Sequence, residues 1–351
     1  MKPGTFYAFA GLTAAAVVAA GVAVSSQTEI TSLTAGTDPA FPKLAENVNS
    51  VAKIEIRNAE SDFSMTLDGE NWGLDQKDGY RVEFQKVKSA IVNLADFKLI
   101  EQKTADAERY ERLELNDPAD ENAKSRKIVL KDAEGAVLAD VLIGKLNPNL
   151  FGTGGAGTYI RRADEKVTWL ARGQVELGED PNNWMARQIV NYGQEKVSRV
   201  VVRNPEGAEI ILAKADVKDA NFKIENLPDG RKIKNKDEVD PLGGVMWRMM
   251  FDDVQKAEKQ EWPDKPWVAY YTVWDGYTVR IETAKFGDDF WGRFTATVDE
   301  TVTDAEKKAA AEKIVAEINE RTKGWTYMLT AGDSEKLTSK MEDYLAEPEG
   351  S

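Results

Sequence analysis

The sequence predicts an α+β protein: two repeated modules of mostly antiparallel sheet, each with a packed helix, behind an amino-terminal transmembrane or signal helix. Three observations lead there. VAKIEIRNAE at 51–60 recurs as VSRVVVRNPE at 197–206. After each copy, period-two strands and a 3.6-period helix follow in the same order. The run from Thr5 to Val24, TFYAFAGLTAAAVVAAGVAV, carries no charge.

The leader comes first. Lys2 precedes the run and Glu29 follows it. Twenty helical residues cover roughly 30 Å, about one hydrocarbon core. Positive charge ahead of the run keeps the amino end in the cytoplasm, so the body is exported. Residues 1–25 are therefore read as an anchor that contacts the bilayer through 5–24. The Ala and Gly content and the small residues Ala23, Val24 and Ser25 leave a cleaved signal peptide as the alternative. Residues 25–40 are small and polar, and 26–45 are read as a tether.

The first module spans 46–190. Its opening strand alternates Ile54 and Ile56 with polar residues, and FSMTL at 63–67 is the second strand. Trp72-Gly73-Leu74 follows a turn at Asp68-Gly69. Residues 81–95 place Phe84, Val87, Ile91 and Leu94 on one helical face. A hairpin at 127–144 turns at Ala133-Glu134-Gly135, and 158–162 with 167–173 forms another.

The second module spans 191–346. Ile54 and Ile56 correspond to Val200 and Val202, and 208–213 is the second strand. A longer charged insert occupies 214–239. Asp240-Pro241 then starts a helix, with Leu242, Val245, Met246 and Met249 on its inward stripe. The hairpin at 267–286 turns at Asp275-Gly276. GRFTATV at 292–298 corresponds to TYIRR, and GWTYML at 324–329 to VTWLARG. Two helices close the chain, one opening at Thr303 with Glu306 in capping-box spacing, one from about Ser334. Residues 347–351 are a tail.

Composition removes whole classes of chemistry. The chain has 351 residues, 42% hydrophobic and 30% charged, enough for two cores. It contains no Cys and no His. Disulfides, thiolate metal sites, a lipoprotein anchor, Ser-His-Asp triads and HExxH zinc sites are thereby impossible. A net charge of −14 opposes nucleic-acid binding. No cofactor or metal is expected.

Several segments invite a functional reading. FGTGGAGTY at 151–159 is glycine-rich, but it joins two strands and no GK[ST] follows, so it reads as a connector. The pairs Asp252-Asp253, Asp288-Asp289 and Glu342-Asp343 read as solvated surface, and Arg161-Arg162 as strand flank. In VMWRMMFDDV at 245–254, Trp247, Met250 and Phe251 cannot all join the inward stripe of a helix. They are candidate interface residues, toward the other module or a partner. Trp262, Trp267 and Trp274, with Tyr270 and Tyr271, form an aromatic cluster able to stack on a partner or a sugar ring.

The order of motifs resembles the domain-of-unknown-function 4340 family of bacterial envelope proteins. FPKL at 41–44, VAKIEIRN, the turn before Trp72, TADAERYERLELNDP at 104–118, the GK at 144–145, Tyr159-Ile160-Arg161-Arg162, WLARG at 169–173 and DPNNWMARQIV at 180–190 carry it. The resemblance covers most of 41–330. It implies an extracytoplasmic, membrane-tethered accessory of an ABC-type transport system, and it brings no catalytic residues.

The expected function is a non-enzymatic accessory of the bacterial inner membrane with its body in the periplasm, touching an ABC permease or associated envelope protein. The alternatives are a periplasmic glycan- or peptide-binding module using aromatics near 262–274, and a carboxylate-based hydrolase.

Overall fold

A computed structural model describes residues 38–150 and 155–347. The leader, its membrane contact and its cleavage lie outside the described residues, as do 151–154 of the glycine loop and 348–351 of the tail. Among the described residues, no helix is long and apolar enough to cross a membrane. The architecture is α+β, with two large antiparallel sheets and few helices. The chain forms two compact units. Unit 1 takes the described residues up to Leu67 and Phe84–Glu179; unit 2 takes Asp68–Glu83 and the described residues from Asp180 onward.

Unit 1 holds strands β1 (Val51–Arg57), β2 (Asp62–Asp68), β5 (Lys98–Gln102), β6 (Arg126–Asp132), β7 (Val137–Asn147), β8 (Gly157–Arg162) and β9 (Thr168–Arg172). They run in the order β2-β1-β6-β7-β8-β9-β5. Val51, Ile54 and Ile56 point into the core. The three-residue step from 51 to 54 breaks strict alternation, and the pairing with β6 slips between Val51 and Lys53. Helix α2 (Phe84–Ala95) buries Val87, Ala90, Ile91, Leu94 and Ala95. Phe84 does not join them and is 54% exposed. The helix begins at Phe84, whose side chain has no preceding turn to fold against.

The tether reading fails over 38–45. Ala40 N–H donates to the Phe97 carbonyl at 2.7 Å and Leu99 N–H to that of Asp38 at 3.2 Å, so this stretch borders β5. Phe41 and Leu44 are buried, the latter from the short helix α1 (Pro42–Glu46). Polar composition suggested a linker, but two apolar anchors are enough to seat it.

Gly144 of the GK pair has a structural role. A Cβ there would collide with the Leu113 carbonyl oxygen and lie 2.8 Å from that of Glu114 and from the Leu115 side chain. Backbone cannot yield cheaply. Gly144→Ala is expected to destabilise unit 1 by about 2–3 kcal/mol, seen as a lower urea midpoint in Trp169 fluorescence. An unchanged midpoint would refute that role.

Unit 2 holds β10 (Gln188–Val190), β11 (Val197–Arg203), β12 (Glu209–Ala213), β13 (Lys223–Ile224), β14 (Met249–Lys256), β15 (Trp267–Val273), β16 (Tyr277–Phe286), β17 (Asp289–Val298) and β18 (Trp325–Leu329). Their order is β10-β14-β18-β17-β16-β15-β11-β12-β13. Read backward from β12, this is the connectivity of unit 1. The likeness extends to irregularities. The β11–β15 pairing slips between Val197 and Arg199, the positions that match Val51 and Lys53. β14 slips against β18 between Phe251 and Asp253, as β5 slips against β9 between Leu99 and Glu101.

The helix expected across 240–249 is corrected. Helix α3 covers only Asp240–Gly243, with Val239 in place of Asp240 at the N-cap position and no side-chain cap bond, and Met249 begins a strand. Gly243-Gly244 ends the helix, and pairing with β18 then outweighs the helical propensity of the methionines. The four stripe residues Leu242, Val245, Met246 and Met249 are nonetheless buried. Helix α4 (Ala305–Thr322) is capped by Asp304, not Thr303; the Asp304 side chain accepts from Lys307 N–H at 2.8 Å. Helix α5 runs Ala331–Leu337, with Thr330 as its cap, and a separate 3-10 turn covers Met341–Tyr344.

Unit 2 also contains the hairpin β3 (Asn71–Leu74) and β4 (Tyr80–Arg81). Chain order places this hairpin in the first module, but its packing lies with the second. Val82 bridges Met185, and Glu83 N–H donates to the Trp184 carbonyl at 2.7 Å. Lys77 pairs with Asp253 at 2.5 Å and Asp78 with Lys259 at 2.6 Å.

Candidate functional site

The turn between α3 and β14 is held from below and leaves its tip open. Tyr192 N–H donates to the Met246 carbonyl at 2.8 Å, and Arg248 N–H to Asn191 Oδ1 at 3.1 Å. Arg248 adopts a left-handed backbone conformation, with φ of 50°. Trp247 therefore projects, 63% exposed, with the Arg248 guanidinium 5.5 Å from its ring centre. Met250 pairs with Gln188 of β10 and faces outward, 40% exposed. Beside them opens a cavity of about 460 Å³ lined by Asn191, Gly193, Gln194, Glu195, Gly244 and Trp247.

The other interface candidates lie elsewhere. Phe251 belongs to the core, 0% exposed, with ring centres 5.4 Å from Tyr80 and 5.2 Å from Tyr327. On a strand it alternates inward with Met249 while Met250 points out, so it is closed to a partner and packs instead on Tyr80, a residue from the span read as the first module. Trp262 is half-buried between Arg293, at 4.1 Å, and Phe286, at 5.5 Å. Trp267 and Trp274 are half-buried at the two ends of β15. Tyr271 is fully buried and donates to the Leu242 carbonyl at 3.0 Å. Of the five rings only Tyr271 is buried; Tyr270 is half-buried like the three tryptophans.

Of the acidic pairs, Asp252-Asp253 is engaged by two cations. Asp252 bonds Arg187 at 2.9 Å, and Asp253 takes Lys77. Among the described residues, no group of three acidic side chains is placed to hold a metal. Arg161 stacks 4.8 Å over Tyr110, and Arg162 pairs with Glu165 at 2.6 Å. A larger cavity of about 590 Å³ lies in unit 2 between Arg293, Lys323 and Trp325. Its lining holds two carboxylates, Glu282 and Glu320, and Glu282 is gripped by Arg280 and Arg293, each at 2.6 Å.

Lys214 and Asp333 are among the perturbed groups that escaped the sequence reading. Burial lowers the pKa of the Lys214 ammonium, which donates to the Gln194 carbonyl at 3.0 Å and sits 4.6 Å over Phe222. Burial raises that of Asp333, whose carboxylate accepts from Thr330 Oγ1 at 3.0 Å. Nothing local marks either one, because their burial comes from distant segments.

The model of the family described as Domain of unknown function (DUF4340) matches residues 72–265, more than half of the chain. The chain belongs to the DUF4340 family. No curated protein and no solved structure matches it. The DUF4340 match contains the turn with Trp247 and the insert at 214–239, together with the hairpin that packs in unit 2.

Proposed function

We propose that this DUF4340 protein is a non-enzymatic accessory of a membrane transport or envelope complex, anchored through residues 5–24 with its body in the periplasm. It works by docking a membrane protein on the Trp247–Met250 face. One observation carries the reading: a tryptophan and a methionine three residues apart stand open on a turn and the strand that follows it in unit 2. Large aromatic side chains held this way are the usual anchors of protein interfaces. The family resemblance supplies the class of partner, an ABC permease or its associated envelope protein.

A photo-crosslinking residue at Met250, in intact cells, is expected to capture a membrane permease component. The same residue at Val217, also exposed and apolar, serves as the control. Trp247→Ala should weaken retention of that partner about tenfold or more while leaving stability unchanged. Equal capture from both positions would defeat the assignment of this face.

A further inference from the structure

We propose that the cavity beside Trp247 receives a guanidinium or ammonium side chain of the partner polypeptide, an inference that rests on the docking face above. The lining decides the charge. It presents one carboxylate, two side-chain amides, two glycines and an indole, and neither Lys nor Arg. Gln194 Nε2 donates to the Ala220 carbonyl at 3.1 Å, which turns Oε1 toward Gly244, 3.8 Å from where its Cβ would stand. Asn191 Oδ1 accepts from Arg248 N–H and keeps a second lone pair for a ligand.

Gly193 explains the placement of the carboxylate. A Cβ at Gly193 would collide with both carboxylate oxygens of Glu195, so the acid lies flat over the bare Cα. The Gly193 backbone, with φ of −65° and ψ of 156°, suits any residue. Glycine is needed here for space, not for conformation. Of the neighbouring cations, Lys214 donates to the Gln194 carbonyl and lies over the Phe222 ring; it feels the field of Glu195 as well as those of Asp240 and Asp219, but its hydrogen bond goes to the Gln194 carbonyl. Arg248 lies over the Trp247 ring at 5.5 Å and shows that the indole accepts a guanidinium. A carboxylate, two amide oxygens and an aromatic face together match an organic cation.

The test is NMR of the full chain carrying 15N-labelled tryptophan, with the Trp247 indole signal assigned through Trp247→Phe. N-acetyl-arginine amide should shift that signal saturably. Its neutral isostere, N-acetyl-citrulline amide, should bind about tenfold more weakly. Glu195→Gln and Gly193→Ala should each weaken arginine binding by about the same factor, with an unchanged thermal midpoint. Equal binding of arginine and citrulline, or full arginine binding in Glu195→Gln, would overturn the proposal. If Gly193→Ala does not fold, Glu195→Gln decides alone. Capture at Met250 without arginine binding removes the pocket and keeps the docking face. Arginine binding without capture does the reverse.

Discussion

Tyr80→Ala is expected to destabilise unit 2 by about 3–5 kcal/mol, the range for removing a large buried aromatic ring. Tyr80 is 1% exposed. Its ring meets Phe251, Trp325 and Tyr327 edge-on, with centres 5.4, 4.9 and 6.1 Å away. Its hydroxyl donates to the Ala186 carbonyl at 3.3 Å. Truncation leaves a cavity between rigid rings that cannot collapse onto one another. Tyr80→Phe keeps the ring and should cost about 1 kcal/mol or less.

The same contacts give a stronger expectation for a fragment. Residues 180–351 alone lack Trp72, Leu74, Tyr80 and Val82, all buried in the full chain. That fragment should bind hydrophobic dyes and melt without a cooperative transition, although it holds a whole sequence repeat. Fusing residues 68–83 to it should restore cooperativity. Denaturant unfolding separates the units, because Trp169 is the one tryptophan of unit 1. A cooperative fold in the bare fragment, or a Tyr80→Ala loss below about 1 kcal/mol, would contradict this packing.

Raising the pH above 10 is expected to unfold unit 2 over a narrow interval. Burial raises the pKa of Tyr80, Tyr271, Tyr277, Tyr327 and Tyr344, and all five belong to unit 2. Below pH 10 these phenols are protonated in both states and their burial contributes fully. Above pH 10 the unfolded chain releases protons that the native unit retains. The unfolded state then binds fewer protons, and stability falls as pH rises. Each such group contributes up to about 1.4 kcal/mol per pH unit, so five together reach about 7. Lys214 acts in the opposite direction, since its lowered pKa adds stability up to its unfolded value, but it is one group against five. Absorbance at 295 nm should show tyrosinate appearing together with loss of unit 2 tryptophan signal. Smooth ionisation with the fold intact would show these rings to be accessible.

Much of the fold was legible because it rests on local patterns. The alternation at 51–57 and 197–203 predicted two strands, and these share one burial pattern residue by residue, including the break after Val51 and Val197. Gly135 and Gly276 take positive φ where turns were expected. The strands β5 and β14 were missed. β5 is short, and β14 is rich in methionine, which favours a helix in isolation. The residues proposed for docking were reached through a wrong premise. Trp247 and Met250 were singled out because a helix could not bury them. They are exposed because one sits in a turn and the other on the outer face of a strand. Phe251, suspected for the same reason, alternates into the core.

By itself the sequence determined the class of the fold, the doubled order of strands and the chemistries that absent His and Cys forbid. These follow from side-chain period and composition, which act within a few residues. The tertiary structure alone decided that residues 68–83 complete the second unit, that 249–256 is a strand, and that Glu195 lies against Gly193 beside an open indole. Local preferences amount to a few tenths of a kcal/mol per residue, while ladder pairing and burial by distant segments contribute several, so the distant partners prevail.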